Sequence, residues 1–238
     1  TFHDGTPFTA DAVVASVDGQ TSEAEAMNTV LRAESSILGT NQSAADNIRN
    51  ERATPYVSDA PPVRTTGIVQ IPFRELRNLG MLTPDNPRSA IAEEYRTIKR
   101  PLLINIAGDS VTTPIPHGNL IMVTSALEGD GKTFCAISLA LSIAMEQDKT
   151  VLFVDADTSK ADAGKMLGVA ATSPGLIDLL QNTRASVADF ILSTNVEKLR
   201  ILPAGSVHTH ANELLASARM QQLMVELSEM VSVLNLMS

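Results

Sequence analysis

The rhythm of apolar and polar positions changes along the chain, and the change divides it in two. Through residue 85 there is no sustained period, and breaker clusters such as "HDGTP", "TPYVSDAPPV" and "LTPDNP" interrupt what pattern there is. Residues 22–38 repeat at helical spacing and predict a short helix. "IPFRELRNLGML" predicts another turn or two, and residues 39–66 read as linker. "SAIAEEYRTIKRPLL" then opens on Ser89, a capping residue, with acids early and bases late. That order suits a helix and its dipole, which Pro101 should end or kink.

From Asn119 onward, strand and helix patterns alternate. "NLIMVTS", "KTVLFVDAD" and "KLRILPAG" are short apolar runs bounded by polar residues and predict strands. "KTFCAISLALSIAMEQ" is long enough for a helix and almost wholly apolar, so it should be buried on most sides. "SPGLIDLLQN" and "SVADFILST" predict short helices, and "HANELLASARMQQLMVELSEM" predicts one long final helix. Strands alternating with helices imply an α/β fold, a parallel sheet flanked by helices with right-handed crossovers. The expected organisation is an irregular or disordered region over residues 1–85 and an α/β domain over residues 86–238.

Composition narrows the function classes. A hydrophobic fraction of 44% supports a core, while 3% aromatics, a net charge of -9 and a pI near 4.9 argue against nucleic acid as a partner. The single cysteine, Cys135, lies in an apolar run, forms no internal disulfide and fits a reducing compartment. The longest apolar run, "TFCAISLALSIAM", falls short of the roughly 20 residues a bilayer helix needs. The chain shows no basic-plus-apolar leader and reads as soluble and cytoplasmic; its start at Thr1 fits a cut or processed end.

One stretch concentrates the chemistry. Residues 126–133, "ALEGDGKT", satisfy the phosphate-loop pattern G-x-x-x-x-G-K-[ST] except that Ala126 stands for the first glycine. The stretch follows an apolar strand and opens a helix, the context such a loop requires. Gly129 and Gly131 let the backbone curl so that successive N–H groups converge, and the new helix adds the positive end of its dipole. Lys132 can then reach the β- and γ-phosphates of a nucleotide, and Thr133 can offer its hydroxyl to Mg2+. Gly129, Asp130, Gly131, Lys132, Thr133 and Phe134 form the expected nucleotide-binding segment. Downstream, "VLFVDAD" places Asp155 and Asp157 at the end of a strand, two residues apart and so on one side. Open sheets bind ligands at that edge, so both carboxylates are expected to face the loop, one near the metal and one near the attacking group.

Together, "SALEGDGKT" and "VLFVDAD" resemble the bacterial tyrosine kinases of capsule and exopolysaccharide synthesis, relatives of the septum-site and plasmid-partition ATPases. "AEEYRTIKR" resembles that family's E-x-x-R-x-x-R helix, here Glu93, Arg96 and Lys99. "GLIDLL", "LRILPAG" and "NELLASARM" follow in the family's order, and the overall look is nearest to the exosortase-associated autokinases. The resemblance implies a P-loop NTPase fold and phosphoryl transfer from MgATP to tyrosine. Lys132 would stabilise charge, Thr133 would hold Mg2+, Asp155 would be the base, and Asp155 and Asp157 would order the metal. It also implies self-association through the Glu93/Arg96/Lys99 helix and a membrane polysaccharide co-polymerase-type activator that holds the chain at the inner membrane. The family's third acidic strand belongs where the chain reads "MVSVLNLMS", so the domain is expected to be incomplete at its C-terminus. The family's tyrosine-rich tail is missing too, leaving Tyr56 and Tyr95 as the only tyrosines. The alternatives are a partition-type ATPase and a nucleotide-binding module without turnover. Partition ATPases carry a second lysine early in the loop, and the matching residue here is Leu127.

Other candidates are weaker. His208 and His210 in "VHTHAN" lie two apart without a third ligand nearby and read as a surface loop. "TFHDGTPFTADAVVASV" resembles a segment of periplasmic peptide-binding proteins, too short to build that fold; its His3 and Asp4 read as solvated loop.

Overall fold

The computed structural model describes residues 67–237 apart from 112, 128, 159 and 183, with the backbone alone at 234–237. The helix expected at residues 22–38, the linker at 39–66, the N-terminal resemblance with His3 and Asp4, and Tyr56 all lie outside the described residues.

One five-stranded sheet organises them. It is built from β1 (Leu120–Val123), β2 (Val151–Asp155), β3 (Leu192–Ser193), β4 (Leu199–Leu202) and β5 (Val233–Met237) in the order β1-β5-β2-β4-β3. β2 is buried at all five positions, as its unbroken apolar run requires of a strand covered on both faces. β5 lies between β1 and β2 and pairs in parallel with both. The segment that begins at "MVSVLNLMS" thus supplies a central strand.

The sheet is mixed rather than all parallel, because β3 runs antiparallel to β4. "SVADFILST" was expected to be helical. It forms only a 3-10 turn at Val187–Asp189 before turning into β3. Leu192 is buried opposite Ile201, and the Thr194 hydroxyl donates to the Leu199 carbonyl at 2.9 Å. Pairing across this short hairpin outweighs the local helical spacing. Val69 then bridges to Thr194 and covers the β3 edge. Behind it, α1 (Phe73–Asn78) buries Leu76, and Met81 and Leu82 follow it into the core. Residues 69–85 therefore pack on the unit that the sequence pattern began at 86.

α2 (Ala90–Ala107) continues past Pro101, so the proline does not end it. Pro101 sits on the solvent face, so the carbonyl it leaves without a partner, that of Thr97, is open to water. The buried stripe of α2 packs on α3 (Lys132–Ala144), whose residues Ala136–Ala144 are all buried. Also among the described elements are α4 (Asp162–Met166) and α5 (Leu176–Gln181). The expected long final helix is broken into α6 (Ala211–Leu215) and α7 (Ala218–Met230). Ser217 causes the break: its Oγ accepts from the Met220 amide and starts the second helix as its cap. Leu152, Val154 and Leu202 form a core with Leu176, Leu179, Leu223 and Leu227 from α5 and α7. Val151, Phe153 and Asp155 alternate to the other face of the sheet.

Candidate nucleotide site

β1 and β2 end level with one another. Met237 of β5 is in register with both Val123 and Asp155. Two strand spacings, about 10 Å, therefore separate the loop leaving β1 from the acids leaving β2. Both lie at the carboxyl edge of the sheet, where α/β folds place their ligands.

The loop after β1 curls on itself before entering α3. The Ser125 hydroxyl donates to the Leu127 carbonyl at 2.9 Å, and the Leu127 amide donates to Asp130 Oδ2 at 2.9 Å. Asp130 thus braces the loop from within. Gly129 and Gly131 both have φ of +90°, and Gly131 is the residue on which α3 starts. A side chain at either would be strained, so the curl depends on glycine. α3 has no side-chain cap and no acid in its first turn, which keeps its positive end uncompensated by its own residues. Lys132, Thr133 and Phe134 occupy that turn and are partly buried.

Lys132 Nζ lies 3.0 Å from Asp157 Oδ2, with 21% and 11% of the two side chains exposed. Asp155, two residues earlier, is fully buried. Its Oδ1 accepts from the Asp157 amide at 3.2 Å and its Oδ2 from the Gly164 amide at 3.1 Å. Burial pushes its carboxyl up to about 6, with the charges of Asp157 and Asp162 adding to the rise and the two amides opposing it. The structure therefore brings Asp157 to Lys132, while Asp155 holds the turn that leads into α4.

No protein-family model matches the chain. It is 35% identical over 102 residues to tyrosine-protein kinase CpsD of Streptococcus agalactiae, covering 43% of this chain and 44% of that one. With tyrosine-protein kinase YwqD of Bacillus subtilis it shares 33% identity over 153 residues, 64% of this chain and 60% of the relative. The kinase domain of the Escherichia coli tyrosine kinase ETK superposes with a TM-score of 0.56 at 25% identity, over 64% of this chain and 56% of that one. This chain is a homologue of the bacterial tyrosine-protein kinases. It spans less than half the length of CpsD. Nothing in these matches singles out the exosortase-associated type.

In this kinase homologue, the E-x-x-R-x-x-R-like helix does not present three residues to one side. Glu93 and Arg96 are exposed and ion-paired, and Arg96 Nη2 also donates to the Pro87 carbonyl at 2.9 Å. Lys99 is only 6% exposed; its Nζ donates to the Ser142 carbonyl at 2.7 Å and pairs with Glu146 at 2.6 Å. Each three-residue step turns back about 60° around a helix, so two steps carry Lys99 from the outer face to the α3 contact. The expectation that all three residues share one exposed face is corrected: Glu93 and Arg96 lie on it and Lys99 does not.

Tyr95 is 2% exposed in the same interface, and burial pushes its ionisation far above the ordinary range. His208 and His210 stack loosely at 5.9 Å, and among the described residues no group of three His, Cys, Asp or Glu side chains is placed to hold a metal.

One residue that braces the chain beyond β4 escaped the sequence reading. Asp178 Oδ2 accepts from the Gly175 amide at 2.8 Å and from the Ser206 amide at 3.0 Å. It thereby pins the segment that continues β4 at the same sheet edge. A Cβ at Gly175 would meet the Pro203 carbonyl oxygen at 2.1 Å, and one at Gly205 would meet Asp178 Oδ2 at 2.3 Å. The G-x-x-D spacing in "PGLIDLL" and the glycine of "LPAG" are the signals that could have found it.

Proposed function

We propose that this chain carries the nucleotide site of an ATP-dependent protein-tyrosine autokinase of exopolysaccharide or capsule biosynthesis. The observation that carries the reading is the glycine-curled loop at the start of α3, with Lys132 set against Asp157, in a homologue of tyrosine kinases. The curled amides and the end of α3 would bind the phosphates of ATP, with Lys132 balancing charge on the transferred group.

Mg2+ keeps several waters and takes phosphate oxygens, so it needs only one or two protein ligands. The Thr133 hydroxyl and the Asp157 carboxylate fit that requirement; the Asp155 oxygens are both engaged by amides. When bound, Mg2+ would neutralise phosphate charge. Asp155 would take the proton of the attacking tyrosine hydroxyl, a role suited to a carboxyl lifted toward neutrality. That role requires the Gly164 and Asp157 amides to let it go. Tyr95 is too buried to be the acceptor, so the tyrosine phosphorylated lies outside the described residues.

Leu127 is exposed at the loop tip where a partition ATPase would carry its second lysine, which favours the kinase reading. We also read the outer face of α2, with Glu93 and Arg96, as a self-association surface. Among the described residues no helix is long and apolar enough to cross a membrane. A membrane co-polymerase-type partner would bring the chain to the inner face of the membrane.

The test is incubation with labelled ATP and Mg2+, followed by phosphoamino-acid analysis. Phosphotyrosine supports the proposal. Hydrolysis without protein phosphorylation selects the partition-type ATPase, and binding with neither selects a nucleotide-responsive module.

A further inference from the structure

The lysine of a phosphate loop is there to meet phosphate, yet here Lys132 is already met. Asp157 holds it at 3.0 Å in a setting where both side chains are largely covered. Attraction between covered charges is stronger than in water, and removing one partner takes a balancing charge away from the other. The pair therefore sets a condition on whatever enters the site.

We propose that Asp157 is an internal stand-in for phosphate: it latches Lys132 while the site is empty, and nucleotide binding exchanges Lys132 onto the triphosphate and frees Asp157 for a divalent cation. This rests on the nucleotide reading above and adds a rule for the order of events. A triphosphate arriving alone takes Lys132 and leaves a covered carboxylate beside new negative charge. A cation arriving alone finds Asp157 committed to Lys132. Arriving together, each incoming charge gains a partner as the old pair parts. Nucleotide and cation then bind as a linked pair, each raising the affinity for the other. Asp155 is turned to the Asp157 and Gly164 amides, whereas the Lys132 ion pair runs to Asp157.

The latch makes a prediction opposite in sign to a supporting role. Asp157→Asn keeps the shape and removes the charge, so Lys132 is released. Titration calorimetry with ATP in EDTA should show the variant binding metal-free ATP about tenfold more tightly than the unaltered chain. The gain in affinity on adding Mg2+ should shrink by a similar factor. Asp157→Ser, smaller and also neutral, should move in the same direction and serves if the first variant folds poorly. Metal-free affinity that is unchanged or weaker in a folded variant overturns the latch. Lys132→Ala separates the two levels of the argument: if it binds ATP as well as the unaltered chain, the nucleotide reading itself fails.

Discussion

Burial lifts the Asp155 carboxyl to about 6 from an ordinary 3.8, which fixes the sign of its effect on stability. The folded chain favours the protonated form. The contribution of Asp155 is therefore fully present below pH 3.8 and is lost as pH rises through about 6. The loss amounts to about 3 kcal/mol, at 1.36 kcal/mol per pH unit. In EDTA, the melting temperature of the unaltered chain should fall relative to Asp155→Asn between pH 4 and pH 8; a constant difference would contradict the burial argument. Lys132→Ala should reduce ATP binding below detection by calorimetry, since it removes the cation without disturbing the glycine curl. The glycine curl at Gly129 and Gly131 and the helix that starts at Lys132 were legible in the sequence because such a turn is a local pattern. The burial of Asp155 was not, because it depends on Gly164, nine residues on, coming back to donate to it. Asp178 was missed for a similar reason: half of what it holds, Ser206, is 28 residues away.

Strands β1, β2 and β4 and the phosphate-loop helix could be read from their runs of apolar residues, since a buried strand or helix writes its burial into contiguous sequence. Errors came where a single residue or a distant partner decided the outcome: Ser217 splitting the final helix, exposure rescuing Pro101, and hairpin pairing recruiting Leu192. Helix α2 shows how residues at one spacing divide their labour. Lys99→Met should lower stability by about 2 kcal/mol, because it strands Glu146 and the end of α3. Arg96→Ala sits in an exposed pair and should change stability by less than about 1 kcal/mol. Under the proposed association surface, Arg96→Ala should also lower the mass seen by light scattering, with thermal denaturation reporting the stability of both variants. If Lys99→Met melts like the unaltered chain, the α2–α3 tie is not the structural link described. Gly175→Ala, which drives a methyl into the Pro203 carbonyl, should cost about 2–4 kcal/mol in a denaturant titration.

β5 decides how the parts of the sheet become one site. The phosphate loop leaves β1, the acids leave β2, and the two strands never touch; β5 lies between them and sets both registers. Yet β5 follows every other strand in sequence, so its pairings close long loops. Val233, at its start, is fully buried. A chain ended after Met230 should lose cooperative thermal unfolding and show no ATP binding by calorimetry, although every residue of the phosphate loop remains. Under the proposed nucleotide reading, grip on ATP would then work as a checkpoint on assembly: an intermediate with both half-sites formed but the wedge between them missing would be blind to ATP, and ligand could rescue only molecules that had already threaded it.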